Sequence, residues 1–350
     1  MALEECNVNK MQSQFDLVTL GEILLRLSPP LNERLDRKDI FYKQIGGSEL
    51  NVASGVALLG LRTGIISKVP NNTLGSFVKK QTRLSQVSDD FLQYDNEKDA
   101  RLGIYYYENG AYPRKPSVVY DRLNSSMIKL DETLISDYAY HNCKMFHTSG
   151  ITLALNSQLR NNVISIIKKF KENGALISFD VNYRMNLWSE EEARAVILQV
   201  LPYVDVFFCS QETARLMFKK KGDFKKIMQE FATEYNIRVV ASTQRVVHSP
   251  KKHDFGSIIY DANKNIFYEE EAYQNIEVVD RIGSGDAYVS GVLYALLKYE
   301  IDCHKALQYG NAMGALKNTV PGDLPFCSKE EVETIINDHH TLGYKSEMVR

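Results

Sequence analysis

The 350-residue sequence predicts an α/β fold, a mostly parallel central sheet covered by helices on both faces and accompanied by a small β lid. Three observations point to it. From about residue 144 onward, short apolar runs alternate with segments of helical period, the pattern of a parallel sheet whose crossovers are helices. Residues 99–122 break that rhythm with two β-rich runs around an Asn-Gly and Pro-containing turn, which reads as a hairpin. Two glycine-rich stretches, GGSELNVA and DRIGSGDA, stand where strands pass into helices.

The elements follow in order. Residues 1–14 are polar and acidic and read as a disordered leader, and the charged end GYKSEMVR reads as a frayed tail. One folded domain is expected over 15–340, with lid segments at about 22–45 and 99–122. FDLVTLG (15–21) and EILLRLS (22–28) read as strands, GGSELNVASGVALLG (46–60) as a Gly-started helix ending at Gly60, and RTGIISKV as a strand. Next come the strand KMFHTSG, a helix over 156–172, the strand ALISFDV, a helix over 189–200, VDVFFC as strand, helices over 211–219 and 224–235, and IRVVAS as strand. After IEVV, the apolar positions Val289, Val292, Leu293 and Leu296 fall at i, i+3, i+4 and i+7, the stripe of a helix. The DRIGSGD loop therefore joins strand to helix, where open parallel sheets bind ligands.

Composition narrows the partners. A formal charge of −2 gives no electrostatic reason to expect nucleic acid or an anionic membrane. A small molecule is the expected partner. Five widely spaced cysteines without a C-x-x-C suit a reducing compartment. The N-terminus lacks the basic start and apolar stretch of an export signal, and no apolar run reaches the roughly 18 residues of a membrane span, so a cytoplasmic protein is expected. The seven histidines form no H-E-x-x-H, and there is no G-x-x-x-x-G-K-[ST].

The chemistry gathers in the glycine-rich loops. Gly283 and Gly285 permit positive φ and close backbone approach, and amides at the start of the next helix lack intrahelical acceptors. Together with the helix dipole they offer an anion site suited to a phosphoryl group in flight. Asp286 then stands where it could take a proton from an attacking hydroxyl. From this loop alone it reads equally well as a helix cap. Gly46 and Gly47 precede a helix carrying Asn51 one turn inside, an arrangement that admits a polyhydroxy ligand or simply a tight turn.

Four ordered stretches, LGEILLRLSP, GGSELNVASGVALLG, FDVNYRMNLW and DRIGSGDAYVSG, resemble the ribokinase-like (PfkB) carbohydrate kinase family over about residues 15–335. That resemblance implies a ribokinase-like three-layer sandwich with a β lid, and ATP and Mg2+ as cofactors. It makes Asp286 the base and the Ile282–Gly285 amides, with Gly283, Ser284 and Gly285, the anion hole. Asp280 would support the loop or the Mg2+ surroundings, and Glu212 would act near the metal. Thr243, Arg245, Gly283, Gly285 and Asn311 would contact the nucleotide.

Within the family the sequence is most similar to the 2-keto-3-deoxygluconate kinases. A sugar acid needs a cation with fork geometry, for which arginine is suited. Gly46, Gly47 and Asn51 would hold the hydroxyl face, while Tyr105, Tyr120, Arg122 and Arg184 would hold the keto-acid end. Tyr105–Tyr107 read also as a strand with alternating core and surface aromatics, and Arg184 as a surface ion pair. Two departures bear on the nucleotide: Arg245 replaces an expected glycine in STQRVVHSPKKHDFG, and Cys209 stands where an asparagine is usual. A fructokinase or ribokinase-type sugar kinase, and a sugar-binding protein with a decayed ATP site, are the alternatives. Lid edge strands call for a partner, so a homodimer or higher homo-oligomer is expected.

Overall fold

The computed structural model describes residues 14–37 and 39–340, so most of the expected leader and all of the charged tail lie outside the described residues. In chain order the strands are β1 (Phe15–Leu20), β2 (Leu24–Ser28), β3 (Tyr42–Gly46), β4 (Thr63–Pro70), β5 (Val87–Ser88), β6 (Leu92–Asp95), β7 (Gly103–Glu108) and β8 (Ser117–Asp121). They continue with β9 (Cys143–Ser149), β10 (Leu176–Asp180), β11 (Val206–Phe208), β12 (Val239–Ser249), β13 (Lys252–Asp261), β14 (Ile266–Glu269) and β15 (Tyr273–Glu277). The helices are α1 (Ser48–Leu58), α2 (Thr73–Leu84), α3 (Asp137–His141), α4 (Gly150–Ala154), α5 (Ser157–Glu172) and α6 (Glu190–Val200). After them come α7 (Gln211–Leu216), α8 (Phe224–Tyr235), α9 (Ser284–Lys298), α10 (Cys303–Lys317) and α11 (Lys329–His340).

The large sheet runs β14-β13-β12-β11-β10-β9-β1-β4-β5, with β15 and β6 joined at its flanks. From β5 to β12 neighbouring strands are parallel. Strand alternation then divides the core in two. On β1, Val18 faces a cluster with Phe146, Phe170, Phe179 and Phe231, whereas Leu17 faces one built from α1, α9 and α10. Phe146 of β9 stacks on Phe170 of α5 with ring centroids 4.2 Å apart. The resulting three layers are helices, sheet and helices.

Two expectations change on inspection. The apolar stripe on α9 is only part of its packing surface, because residues 287–296 are buried on all sides between α1, α10 and the sheet. The strand expected to end at Ser242 instead continues to Ser249 and returns as β13, a long antiparallel hairpin with Arg245 opposite Phe255. Its β-branched run Val246-Val247 and the turn-forming Ser-Pro pair favour that hairpin over an irregular loop.

The second sheet runs β3-β2-β7-β8. Its strands come from residues 24–46 and 103–121, and β2 pairs antiparallel with β3 and parallel with β7. Arg26, at the centre of β2 and only 2% exposed, ties this sheet to the body. Its Nη1 donates to Asp323 at 2.8 Å, its Nη2 pairs with Asp280, its Nε donates to Ser28 at 2.9 Å, and its guanidinium lies 4.6 Å over the Tyr107 ring.

Removing one partner from such a buried cluster leaves uncompensated charge, which costs about 3–5 kcal/mol. Arg26→Ala should lower the unfolding free energy by that order in urea titrations. A loss below about 1 kcal/mol would mean that the cluster contributes little to holding the sheets together.

Candidate active site

Two helix starts build the site. Gly47 caps α1 at φ 141°, and a Cβ there would lie 2.2 Å from the Glu22 carbonyl oxygen. Gly283 caps α9 in the left-handed region at φ 80°, and a Cβ there would lie 2.2 Å from the Asp323 carbonyl oxygen. Only glycine fits either position. Both helices therefore start tightly against backbone, and the amides of their first turns have no intrahelical acceptors.

Asp286 is the third residue of α9, so it is not the cap. Its carboxylate accepts hydrogen bonds from α1, from Ser48 Oγ at 2.8 Å and Asn51 Nδ2 at 2.7 Å. Desolvation pushes its pKa above the usual carboxylate value, and the Asn51 and Ser48 bonds and the Arg184 charge pull it partly back. Such a group is a stronger base than a solvated aspartate. Asn51 is buried and its Oδ1 has no partner, an acceptor left over for a ligand hydroxyl.

A cavity of about 370 Å3 opens in front of this carboxylate. On its wall lie the predicted residues Gly47, Asn51, Tyr105, Tyr120, Arg122, Arg184, Gly283, Ser284 and Gly285, and also Arg245. Glu22, 3% exposed, holds Arg122, accepting from its Nε at 2.8 Å and pairing with its Nη2. The Arg122 guanidinium is 5.7 Å from the centroid of the Tyr120 ring. Tyr105 donates its hydroxyl to Asp323 at 2.6 Å, and burial, with Asp323 beside it, keeps that phenol protonated far above its ordinary pKa. Tyr107 is buried under Arg26 instead, the core member of the aromatic run. Among the described residues Arg184 makes no ion pair; its Nη1 donates to the Tyr183 carbonyl at 3.1 Å.

A second cavity of about 400 Å3 shares Asp180, Asn182, Arg184, Arg245 and Gly285 with the first. Thr243, Glu212 and Cys209 line it. Burial, and then the nearby Asp286 charge, push the Asp180 carboxyl up to about 7.

Three predicted site residues lie off the walls of both cavities. Gly46 is not on the cavity wall; its missing Cβ makes room for Asp323, whose Oδ2 would lie 2.0 Å away. Asp280, 2% exposed, lines neither cavity and supports the loop, pairing with Arg26 and accepting from the amides of Ile282 and Gly322, both at 3.0 Å. Asn311 is fully buried between Ser257 and Glu270, away from both cavities.

The residues missed by sequence reasoning are Glu22, Ser48, Glu49, Asp180, Asn182, Asp323 and Lys317. Glu49, 1% exposed, accepts from Ser149 Oγ at 2.7 Å and Thr152 Oγ1 at 2.8 Å. A carboxylate in the first turn of an otherwise apolar helix was the available signal. Lys317 is fully buried beneath the loop and donates to the Asp280 and Val320 carbonyls at 3.2 and 3.1 Å. Burial pulls its ammonium down to about 8.

Free amides at a capped helix start, a raised carboxylate beside them and two cavities meeting at that point define a phosphotransferase of small molecules on a ribokinase-like fold. The chain belongs to the pfkB family of carbohydrate kinases, whose sequence profile matches residues 14–329. It is 33% identical over 321 residues to a 2-dehydro-3-deoxygalactonokinase from Haloferax volcanii, covering 92% of this chain and 96% of that one. To a 2-dehydro-3-deoxygluconokinase from Bacillus subtilis it is 26% identical over 95% of this chain and 98% of the relative. The crystal structure of a 2-dehydro-3-deoxygluconokinase from Thermotoga maritima superposes with a TM-score of 0.88 at 32% identity, covering 93% of this chain and 98% of that one. The protein is thus a carbohydrate kinase.

The Asp180 shift fixes a pH dependence. With a folded pKa of about 7 against 3.8, the native state keeps a proton that the unfolded chain has released across that window. This contribution is full below 3.8 and lost as pH rises through 7. Asp180→Asn keeps the acceptor for the Asn182 amide and removes the titration. Its melting temperature should exceed that of the wild type at pH 8 by roughly 2 °C or more, with the gap closing at low pH. A gap independent of pH would refute the assignment.

Proposed function

We propose that this kinase transfers the terminal phosphoryl group of ATP to the terminal hydroxyl of a 2-keto-3-deoxy sugar acid, 2-keto-3-deoxygluconate. The observation that carries the reading is the Glu22-pinned Arg122 beside Tyr105 and Tyr120, in the same cavity as Asp286. A neutral sugar has no use for that cation. The names of the relatives, one a gluconate and one a galactonate kinase, share the carboxylate, the keto group and the terminal hydroxyl. Those are the groups this cavity addresses.

The residues fit a nucleotide with Mg2+: Gly285 at the start of α9 lines both cavities, and the carboxylates of Asp180 and Glu212 line the second one, while the Ile282 and Ser284 amides are taken by Asp280 and the Arg281 carbonyl. Mg2+ neutralises phosphate charge and ATP supplies the phosphoryl group. Thr243 and Arg245 line the nucleotide side, and Arg122 and Arg184 orient the acid end of the sugar. Asn51 and Ser48 aim the Asp286 carboxylate, which takes the proton of the attacking hydroxyl, and the Gly285 and Asp286 amides receive the developing charge. The exposed outer strand β8, with Val119 half exposed, pairs with a second copy in a homodimer. The free thiols of Cys143, Cys209, Cys303 and Cys327 suit the cytoplasm.

Asp286→Asn should reduce turnover on the sugar acid by about 10²–10⁴ while sugar affinity, read by calorimetry, changes little. Unchanged turnover would remove Asp286 from the chemistry. Arg122→Ala should raise the KM for the acid roughly tenfold or more over that for its neutral alcohol analogue. Equal losses for both ligands would remove the carboxylate assignment.

A further inference from the structure

The cations around the two cavities fall into two kinds. Arg122 is neutralised by Glu22 and Arg184 is anchored to a backbone carbonyl. Arg245 and Arg281 also line the first cavity, and among the described residues neither has a carboxylate partner. Arg245 is exposed and Arg281 half-buried, so water screens their repulsion, and two guanidinium groups without a carboxylate on one cavity wall remain able to take an anion. The effect of the charges is visible on Arg245, whose guanidinium is pulled below its ordinary pKa by partial enclosure and by the Arg281 charge. It is visible on His253 as well. Burial followed by the two arginine charges pushes this fully buried imidazole down to about 4, so it adds no competing proton.

Position says which anion. Arg245 sits on the wall common to both cavities, next to Gly285. Arg281 precedes the anion loop itself, with its backbone carbonyl accepting from the Ser284 amide at 3.3 Å. Arg245 stands on the hairpin β12–β13, opposite Phe255, and two guanidinium forks offer a phosphate planar donors as well as charge.

We propose that Arg245 and Arg281 form a two-armed clamp for a phosphoryl dianion at the junction of the two cavities. The clamp rests on the kinase reading and deepens it. The dianion is the terminal phosphate of the nucleotide before transfer or the sugar phosphate after it.

The test uses Arg245→Gln, Arg281→Gln and the double variant of the full chain, with ATP against ADP in one calorimetric arm. The other arm compares 2-keto-3-deoxygluconate with its 6-phosphate. In the double variant the preference for the ligand bearing the extra phosphate should fall roughly tenfold to a hundredfold, with ADP and unphosphorylated sugar binding unmoved. Loss in the nucleotide arm places the clamp on the donor, and loss in the sugar arm places it on the product. Arg245→Lys and Arg281→Lys keep the charge without the fork and should retain part of the preference, which a merely structural role would not produce. Unchanged preferences in both arms overturn the clamp. The kinase reading fails on a different readout, the absence of wild-type turnover with any sugar acid.

Discussion

The buried guanidinium of Arg26 is the constraint on which the rest of the site depends. It joins the lid strand β2, the segment that enters the anion loop through Asp280, and the segment around Asp323. Burying three charges costs several kcal/mol per ion before pairing, so the cluster is tolerated only because every member is satisfied. Asp280 uses its remaining capacity on the Ile282 and Gly322 amides, and Asp323 takes the Tyr105 hydroxyl. Lys317 then closes the Asp280 carbonyl onto Val320 from below. The small sheet, the loop at residues 280–285 and Tyr105 are thereby fixed relative to one another by one connected set of contacts.

Pairing and burial also sort the charges by task. Glu22 cancels most of the field of Arg122 but leaves its planar face beside Tyr120, which favours recognition by geometry over attraction by net charge. Glu49, Asp180 and Asp286 lie close enough that their charges oppose one another, and desolvation raises all three. Glu49 is held by Ser149 and Thr152, whereas Asp286 is held by Ser48 and Asn51 of α1. That keeps it aimed while leaving it basic.

Much of this architecture was legible in the sequence, and the part that was not has a common cause. The parallel strands and their helices announce themselves by local period, and α8 falls on the residues expected, 224–235. The two glycine loops were equally plain, because positive φ at a helix start demands glycine. Arg26, Glu22 and Asp323 were invisible: Arg26 and Asp323 meet across 297 positions, and an arginine inside LLRLS looks like the polar beat of an exposed strand. The same blindness to distant partners put Gly46 among the sugar contacts, when its neighbour Gly47 is on the wall and Gly46 makes room for Asp323. The β12–β13 hairpin was missed for another reason. The expected strand ended at Ser242, although the β-branched pair Val246-Val247 beyond it already favoured its continuation.

The contact between Asp286 and α1 carries a consequence for how donor and acceptor are brought into register. Had the carboxylate capped its own helix, the anion hole would be positioned by α9 and the sugar by α1, with only helix packing to relate them. Instead Ser48 and Asn51, from the helix whose start faces the sugar cavity, hold the group that sits among the anion-hole amides of α9. Asn182 donates in turn to Ser48 at 2.9 Å and lines both cavities. On the proposed assignment a shift of α1 therefore moves the Asp286 carboxylate with it, so that the hydroxyl and its proton acceptor stay together while the phosphoryl group approaches from the other side. Such pre-organisation supplies orientation before the reaction begins, which is where most of the catalytic advantage in phosphoryl transfer arises.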